Sequence, residues 1–148
     1  MSDLSMDDKR WRLAARAARS RLAATMGYRF AYADDGVAVV TQPYHAALDN
    51  GVGAIHGGIV ATLVDVAAWY AAAPHFPGWI ATVELQTRYL LPAAECEVRV
   101  EARVVRAGRR MATVEARVFR GDGRLIATAS ATFSATDKPL DPEESPDG

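Results

Sequence analysis

The feature that most constrains this chain is an apolar segment between His56 and Ala73. It contains almost only aliphatic and aromatic side chains, and Pro74 follows it. The segment is about 18 residues long, which favours a helix over a strand. A helix without a polar face is normally surrounded by other elements, so we expect this one to be buried on every side. Asp65 is the exception, because it stands in the middle of the apolar run.

Segments with the alternation of β-strands lie on both sides of this helix. Two short segments, 28–32 and 37–41, flank an Asp-Asp-Gly turn and predict a hairpin. Four longer segments follow the helix, at 79–91, 95–106, 111–120 and 125–135. Their alternation is typical of strands with one buried and one wet face, as in an antiparallel meander. The predicted fold class is α+β, with an antiparallel sheet wrapped around a central buried helix.

The two ends of the chain are expected to lie outside this core. Residues 1–26 predict an extra N-terminal amphipathic helix, which Asp7 or Asp8 would cap. The face expected to pack on the domain consists of residues at helical spacing: Trp11, Ala15, Ala18 and Leu22. Residues 27–136 form the predicted domain. The Pro- and acid-rich residues 137–148 predict a disordered tail.

Composition and charge exclude several classes of function. The net charge is −1, so there is no basic excess, and we expect no nucleic-acid partner. No stretch approaches the roughly 20 apolar residues of a membrane span, and no signal peptide is apparent. We therefore expect a cytoplasmic protein without a membrane partner. Cys96 is the only cysteine, and the histidines lack zinc-ligand spacing, so no disulfide or metal is expected.

Asp65 and the sequence His56-Gly57-Gly58 lie on the same predicted helix, and together they indicate a candidate catalytic site. An unpaired buried carboxylate is costly, and a structural aspartate satisfied by a backbone group or an arginine is the alternative explanation. Glycines at a helix start allow a ligand to approach free N–H donors, which attract developing negative charge. Along one helix Gly57 and Asp65 are about 12 Å apart, too far to meet at one carbonyl. Two antiparallel copies of the helix would bring them together, so we expect a dimer.

Several motifs together resemble a known family. The stretch from Asn50 to Asp65, Asn-Gly-Val-Gly-Ala-Ile-His-Gly-Gly-Ile-Val-Ala-Thr-Leu-Val-Asp, is similar to the central motif of the PaaI-type hotdog thioesterases. The later stretch Thr82-Val-Glu-Leu-Gln-Thr-Arg-Tyr-Leu-Leu-Pro92 resembles a strand of that family. The resemblance covers about residues 28–135. It implies the hotdog fold, an acyl-CoA substrate, a homodimer or homotetramer, and no cofactor beyond the coenzyme A of the substrate.

The resemblance also implies roles for individual residues. Gly57 N–H would polarise the thioester carbonyl, with His56 and Asn50 shaping that side of the pocket. Asp65 of a second chain would act as general base or as nucleophile, and Thr82 would position the water or hold Asp65. Residues expected to contact the substrate are Gly58 and, as candidate phosphate ligands, Arg106, Arg109 and Arg110.

The expected reaction is hydrolysis of an aryl- or medium-chain acyl-CoA to the free acid and coenzyme A. Two alternatives remain open. The first is a hotdog protein that binds acyl-CoA without turning it over. The second is a hotdog enoyl-CoA hydratase, which pairs its aspartate with a histidine where this chain has Tyr70.

Overall fold

In the computed structural model, which describes residues 3–140, one long helix packs against a single antiparallel sheet. The helices are α1 (Met6–Ala17), α2 (Arg21–Met26) and α3 (Gly57–Ala72), with 3-10 turns at Ala46–Leu48 and Ala73–His75. The strands are β1 (Arg29–Tyr32), β2 (Ala38–Gln42), β3 (Ile80–Tyr89), β4 (Val98–Ala107), β5 (Met111–Arg120) and β6 (Leu125–Ala135). The strand order is β1-β2-β4-β5-β6-β3, and α3 packs on β2 to β6. The predicted α+β arrangement is confirmed.

The strand order corrects one detail of the sequence prediction. The β1–β2 hairpin forms as expected, and Gly36 in its turn has φ +80, which suits glycine. Strands β4, β5 and β6 form a meander, but β3 pairs with β6 at the far edge and not with β4. The chain reaches that edge because α3 crosses one face of the sheet between β2 and β3. Strand β3 therefore presents an unpaired edge.

Alternation along the strands sets which face of the sheet meets α3. Val98, Val100 and Ala102 of β4 are fully buried in the core beneath the helix. The charged residues that alternate with them include Arg99 and Arg103, which are exposed on the opposite face. Burying the apolar face against α3 supplies the main stabilising free energy of such a layered fold.

Helix α3 is not buried on every side, which corrects the sequence prediction. One face, including Leu63, Val64, Ala67 and Ala68, is completely buried against the sheet. The opposite face is only half-buried, and it includes Ile59, Thr62, Asp65, Val66 and Trp69. The sequence could not separate these two faces, because both are largely apolar in composition.

The length of the helical run also differs from expectation. Residues Gly57–His75 form a run of 19 residues that is long and apolar enough to cross a membrane by length and composition alone. The expectation that no stretch approaches that length is wrong. In this fold 56% of the run is buried, and its packing on five strands accounts for its apolar composition as that of a core helix.

The N-terminal region consists of two helices where one was predicted. Ser5, not Asp7 or Asp8, is the N-cap of α1, and Asp8 completes a capping box with it. A break follows at Ala18, and Ser20 caps α2 by accepting a hydrogen bond from Ala23 N–H at 3.2 Å.

The face by which α1 packs is also different from the prediction. Leu13 and Ala17 are buried, with 0% and 3% of their surface exposed, whereas Trp11 is 73% exposed. The predicted set of Trp11, Ala15, Ala18 and Leu22 is exposed. Both groups of residues have helical spacing, and the burial shows that α1 packs on the domain through Leu13 and Ala17.

We expect the change Leu13→Ala to lower the free energy of unfolding by about 2–4 kcal/mol, because it removes a fully buried side chain and leaves a cavity. The control Trp11→Ala removes a larger but exposed side chain and should change the free energy by less than about 0.5 kcal/mol. Urea denaturation followed by circular dichroism measures both. Equal losses in the two variants would contradict the packing of α1 described above.

The predicted disordered tail is partly ordered. Leu140 is 5% exposed and belongs to the hydrophobic core, and Trp79 N–H donates to the carbonyl of Lys138 at 2.9 Å. The prediction of disorder is therefore wrong for residues 137–140, because an apolar side chain and a backbone hydrogen bond hold them to the domain. The rest of that prediction, residues 141–148, lies outside the described residues.

Candidate active site

The first turn of α3 carries a backbone N–H without an internal partner. His56 is the N-cap, and its Nδ1 accepts from Gly58 N–H at 2.9 Å. The His56 carbonyl accepts from the N–H groups of Ile59 and Val60, at 2.9 and 3.1 Å. These two bonds polarise the peptide unit that contains Gly57 N–H and make it a better donor. Within residues 3–140, nothing accepts from Gly57 N–H, so it remains available at the positive end of the helix dipole.

Gly57 also lines a cleft of about 310 Å³. The other walls are mostly apolar: Ala54, Ile55, Val60, Tyr89, Leu90, Leu91, Pro92, Ala93, Ile126 and Ala127, with Asn50 as a polar member. The Asn50 side-chain oxygen accepts from the N–H groups of Val52 and Ala54, at 3.0 and 3.4 Å. That oxygen therefore shapes the loop before α3. The structure brings Asn50, His56 and Gly57 to one end of the helix, as the sequence predicts.

Asp65 lies further along α3, on its half-buried face. Thr82 Oγ1 donates to Asp65 Oδ1 at 2.8 Å. Among the described residues none donates to Oδ2, so one carboxylate oxygen is held and the other is open. The carboxylate is not enclosed in a hydrocarbon interior. A carboxylate held in this way can take a proton from water or attack a carbonyl carbon.

A β-bulge allows Thr82 to reach Asp65. Thr82 pairs with Phe133 and Glu84 pairs with Thr132, so Val83 is an extra residue in β3. In a regular strand Thr82 and Leu85 would point to opposite faces of the sheet, because side chains alternate. The bulge turns both toward α3, where Leu85 packs on the core. Sequence reasoning missed this bulge, because a run of exposed residues in an edge strand gives no local signal for it.

The predicted phosphate ligands lie at the other end of the sheet from Gly57. Arg106, Arg109 and Arg110 are exposed around the β4–β5 turn. The Arg110 carbonyl accepts from Ala135 N–H at 2.8 Å, and Ala135 pairs with the first residue of β3. The arginines therefore share an end of the sheet with Asp65 and Thr82. Within one chain the structure does not bring them to the Gly57 cleft.

Gly58 and Tyr70 are committed to structural contacts. Gly58 N–H is taken by His56, so this group is not free for a ligand, and the predicted binding role of Gly58 stays a prediction. Tyr70 is 8% exposed and its ring packs on Phe30 with 4.3 Å between centroids. The position at which a hydratase would place its histidine therefore carries a core tyrosine.

Two further features lie outside this constellation. A larger hollow of about 620 Å³ is on the outer face of the sheet, between charged side chains such as Arg88, Glu101 and Arg117. It faces away from α3, so it does not adjoin Asp65 or Gly57. In the part of the chain that is described, no group of three or more His, Cys, Asp or Glu residues could hold a metal ion.

The sequence profile of the family described as "Thioesterase superfamily" matches residues 52–127, which contain Gly57, Asp65 and Thr82. The chain belongs to this superfamily. A candidate esterase of Halobacterium salinarum is 38% identical over 90 residues, which cover 56% of this chain and 59% of that protein. This thioesterase-superfamily chain thus spans less than two thirds of that relative.

Solved structures confirm the hotdog fold of this superfamily member. The E. coli PaaI protein from the phenylacetic acid degradation operon superposes with a TM-score of 0.83 over 93% of this chain and 100% of that chain, at 22% identity. The BH2602 protein of Bacillus halodurans, solved with CoA, gives a TM-score of 0.76 at 25% identity, covering 90% of this chain and 92% of that chain. The resemblance to the hotdog thioesterase superfamily is confirmed, and the PaaI protein is among the solved structures that share the fold.

One residue of the Thr82–Pro92 stretch has a contact that sequence reasoning missed. Tyr89 donates a hydrogen bond from its hydroxyl to the carbonyl oxygen of Gly57. The Tyr-Leu-Leu-Pro sequence marks this tyrosine, but nothing in the sequence shows that it reaches the start of α3. A tyrosine at this position of the sequence could pack in the core or line a pocket, so its residue type does not predict the contact with Gly57.

Proposed function

We propose that the protein hydrolyses an acyl-CoA thioester to the free acid and coenzyme A at a site built from two chains. One observation supports this above the others. The half-buried face of α3 carries a held carboxylate with an open oxygen, Asp65, and the same helix begins with a free N–H, Gly57. An oxyanion donor and a base or nucleophile are the two parts that acyl transfer needs.

The two parts come from different chains in this proposal. Gly57 and Asp65 are about 12 Å apart along the helix, so one helix does not present both to a single carbonyl. The half-buried face of α3 and the edge of β3, where Val83 is 59% exposed, offer a surface for a second copy. With two α3 helices antiparallel, each Gly57 would face the Asp65 of the other chain. The assembly is a homodimer, alone or as half of a homotetramer.

In the proposed reaction the thioester oxygen accepts a hydrogen bond from Gly57 N–H while charge develops on it. Asp65 either removes a proton from the attacking water or attacks the carbonyl carbon to form an anhydride that water then cleaves. Thr82 holds the carboxylate in either case. Coenzyme A leaves as the thiolate and is protonated, so acyl-CoA and water give acid and thiol.

The proposed substrate is an aryl- or medium-chain acyl-CoA in the cytoplasm. The CoA bound to the Bacillus halodurans protein supports this class of ligand. In the antiparallel dimer the turn with Arg106, Arg109 and Arg110 belongs to the chain that supplies Asp65. We propose that these arginines reach the CoA phosphates from that side.

The test is a thiol-release assay with the purified full chain and a panel of acetyl-, hexanoyl-, octanoyl-, palmitoyl-, benzoyl- and phenylacetyl-CoA. We expect turnover, with the highest kcat/KM for an aryl or medium-chain substrate. A blank without substrate corrects for reaction of the thiol reagent with Cys96, which is half-buried. Absence of thiol release from every substrate would overturn the proposal. Saturable binding of the same compounds would then favour an acyl-CoA-binding protein.

A further inference from the structure

The last residue of β3 contacts the first residue of α3. Tyr89 donates from its hydroxyl to the Gly57 carbonyl oxygen. Its ring lies 3.4 Å from where a Cβ on Gly57 would stand, so the ring lies directly beside the position that a side chain would take. Tyr89 is 50% exposed, so the core does not need its side chain for filling. The contact therefore calls for an explanation other than packing.

Adjacent glycines make the start of α3 a weakly constrained piece of backbone. Glycine loses more conformational freedom than any other residue on folding, and helix ends fray. An oxyanion donor must keep its direction, because its contribution depends on preorganisation. The Gly57–Gly58 peptide is held at both ends by side chains: its oxygen accepts from Tyr89, and its N–H donates to His56 Nδ1. We infer that Tyr89 is a positioning residue: because it holds the peptide that follows Gly57, it restricts rotation about the Gly57 backbone bonds and so fixes the direction of Gly57 N–H in the preceding peptide.

The position of Tyr89 in β3 supports this inference. Thr82 and Tyr89 both lie on β3, and they hold Asp65 and Gly57 respectively. One edge strand thus holds both functional groups of α3. Burial raises the pKa of the Tyr89 hydroxyl, so it remains a proton donor throughout the neutral range. The inference rests on the proposed function, in which Gly57 N–H binds the oxyanion.

The change Tyr89→Phe removes the hydroxyl and keeps the ring. We expect kcat to fall about tenfold with little change in KM, because the lost hydrogen bond acts on a donor used in the transition state. Tyr32→Phe is the matched control, because the Tyr32 hydroxyl donates to the Tyr70 carbonyl at 2.7 Å, at the other end of α3. The control loses the same type of bond to the same helix and should keep its kcat.

A double-mutant cycle with Gly57→Pro separates positioning from general support. Proline at the first helical position removes the N–H, and its Cβ would stand 3.4 Å from the Tyr89 ring, as the Cβ of the control Gly57→Ala would. If Tyr89 acts through that N–H, Tyr89→Phe should lower kcat about tenfold in the wild type and leave it unchanged in the Gly57→Pro background. A further tenfold loss in that background, or wild-type kcat for Tyr89→Phe alone, overturns the inference. An inactive wild type would instead overturn the proposed function, so the two failures are distinct.

Discussion

Asp65→Asn is expected to lower kcat by about a hundredfold to ten-thousandfold while the fold and the oligomer persist. Asparagine has the same shape and still accepts the hydrogen bond from Thr82, so the geometry at 2.8 Å can be kept. It cannot accept a proton from water, and it is a poor nucleophile. The thiol-release assay measures the loss, and thermal unfolding with sedimentation shows that folding and assembly are retained.

The control for this prediction removes the support and leaves the carboxylate. Thr82→Val deletes the only described donor to Asp65 and keeps the β-branched shape, and we expect a loss of about tenfold in kcat. Thr82→Ser should restore most of it. Wild-type rates in Asp65→Asn would assign Asp65 a structural role, whereas equal losses in Asp65→Asn and Thr82→Val would assign the effect to geometry and not to proton transfer.

The central helix and the strands were predictable because their patterns are long and strong. Helix α3 could be recognised from an apolar run closed by Pro74, and the four long strands from alternation or from turn residues between them. The polar turn after β5, with Gly123 at φ +83, marks the last hairpin clearly. Local physical chemistry fixes these elements, so a single sequence was sufficient.

The orientation of α1 was not predictable in the same way. The helix is rich in alanine, which packs against a domain or faces water with little difference in free energy. Two faces of the helix have the spacing of a packing face, one with Leu13 and Ala17 and the other with Trp11 and Ala15. The large Trp11 side chain favoured the second face, and that prediction was wrong. The break between α1 and α2 removes the continuity on which the Trp11 pattern depended.

The candidate site was predicted in its parts and in one support, because the resemblance implied that Thr82 could hold Asp65, whereas the Tyr89 contact was missed. Gly57 and Asp65 can be recognised from the sequence, because a diglycine at a helix start and a carboxylate in an apolar helix are both locally unfavourable. The contacts of Thr82 and Tyr89 depend on a register shift at Val83 and on where β3 crosses α3. Such features arise from pairing between distant segments, which a single sequence does not encode locally.

Replacement of Gly57 by proline tests the other half of the proposed site. Gly57 occupies the first helical position, where proline is favoured, and His56 has φ −58 and ψ 136, a conformation compatible with a following proline. The substitution therefore removes the N–H donor with little backbone strain, and the Cβ that it adds lies at ordinary contact distance from the Tyr89 ring. We expect kcat to fall by about a hundredfold or more, as for loss of an oxyanion donor. The control Gly57→Ala keeps the N–H and places its Cβ on the Tyr89 ring at 3.4 Å.

Mixed dimers of these variants test whether the two parts come from different chains. A dimer of one Asp65→Asn chain and one Gly57→Pro chain has one site with both parts intact, so it should recover about half of wild-type activity from two nearly inactive parents. Chains with two different affinity tags, co-expressed and purified over both, give the mixed dimer for the thiol-release assay.

The reciprocal pairing makes the result decisive. A wild-type chain paired with the Gly57→Pro, Asp65→Asn double variant leaves each site with one defective part if the site is shared, so this dimer should be nearly inactive. If each chain used its own Gly57 and Asp65, the wild-type chain would keep a complete site and this dimer would retain about half of the activity. The first mixed dimer would then be inactive. Both mixed dimers contain one normal and one substituted residue at position 57 and at position 65. They differ only in which chain carries each substitution, so a difference in activity shows whether Gly57 and Asp65 of one site come from the same chain.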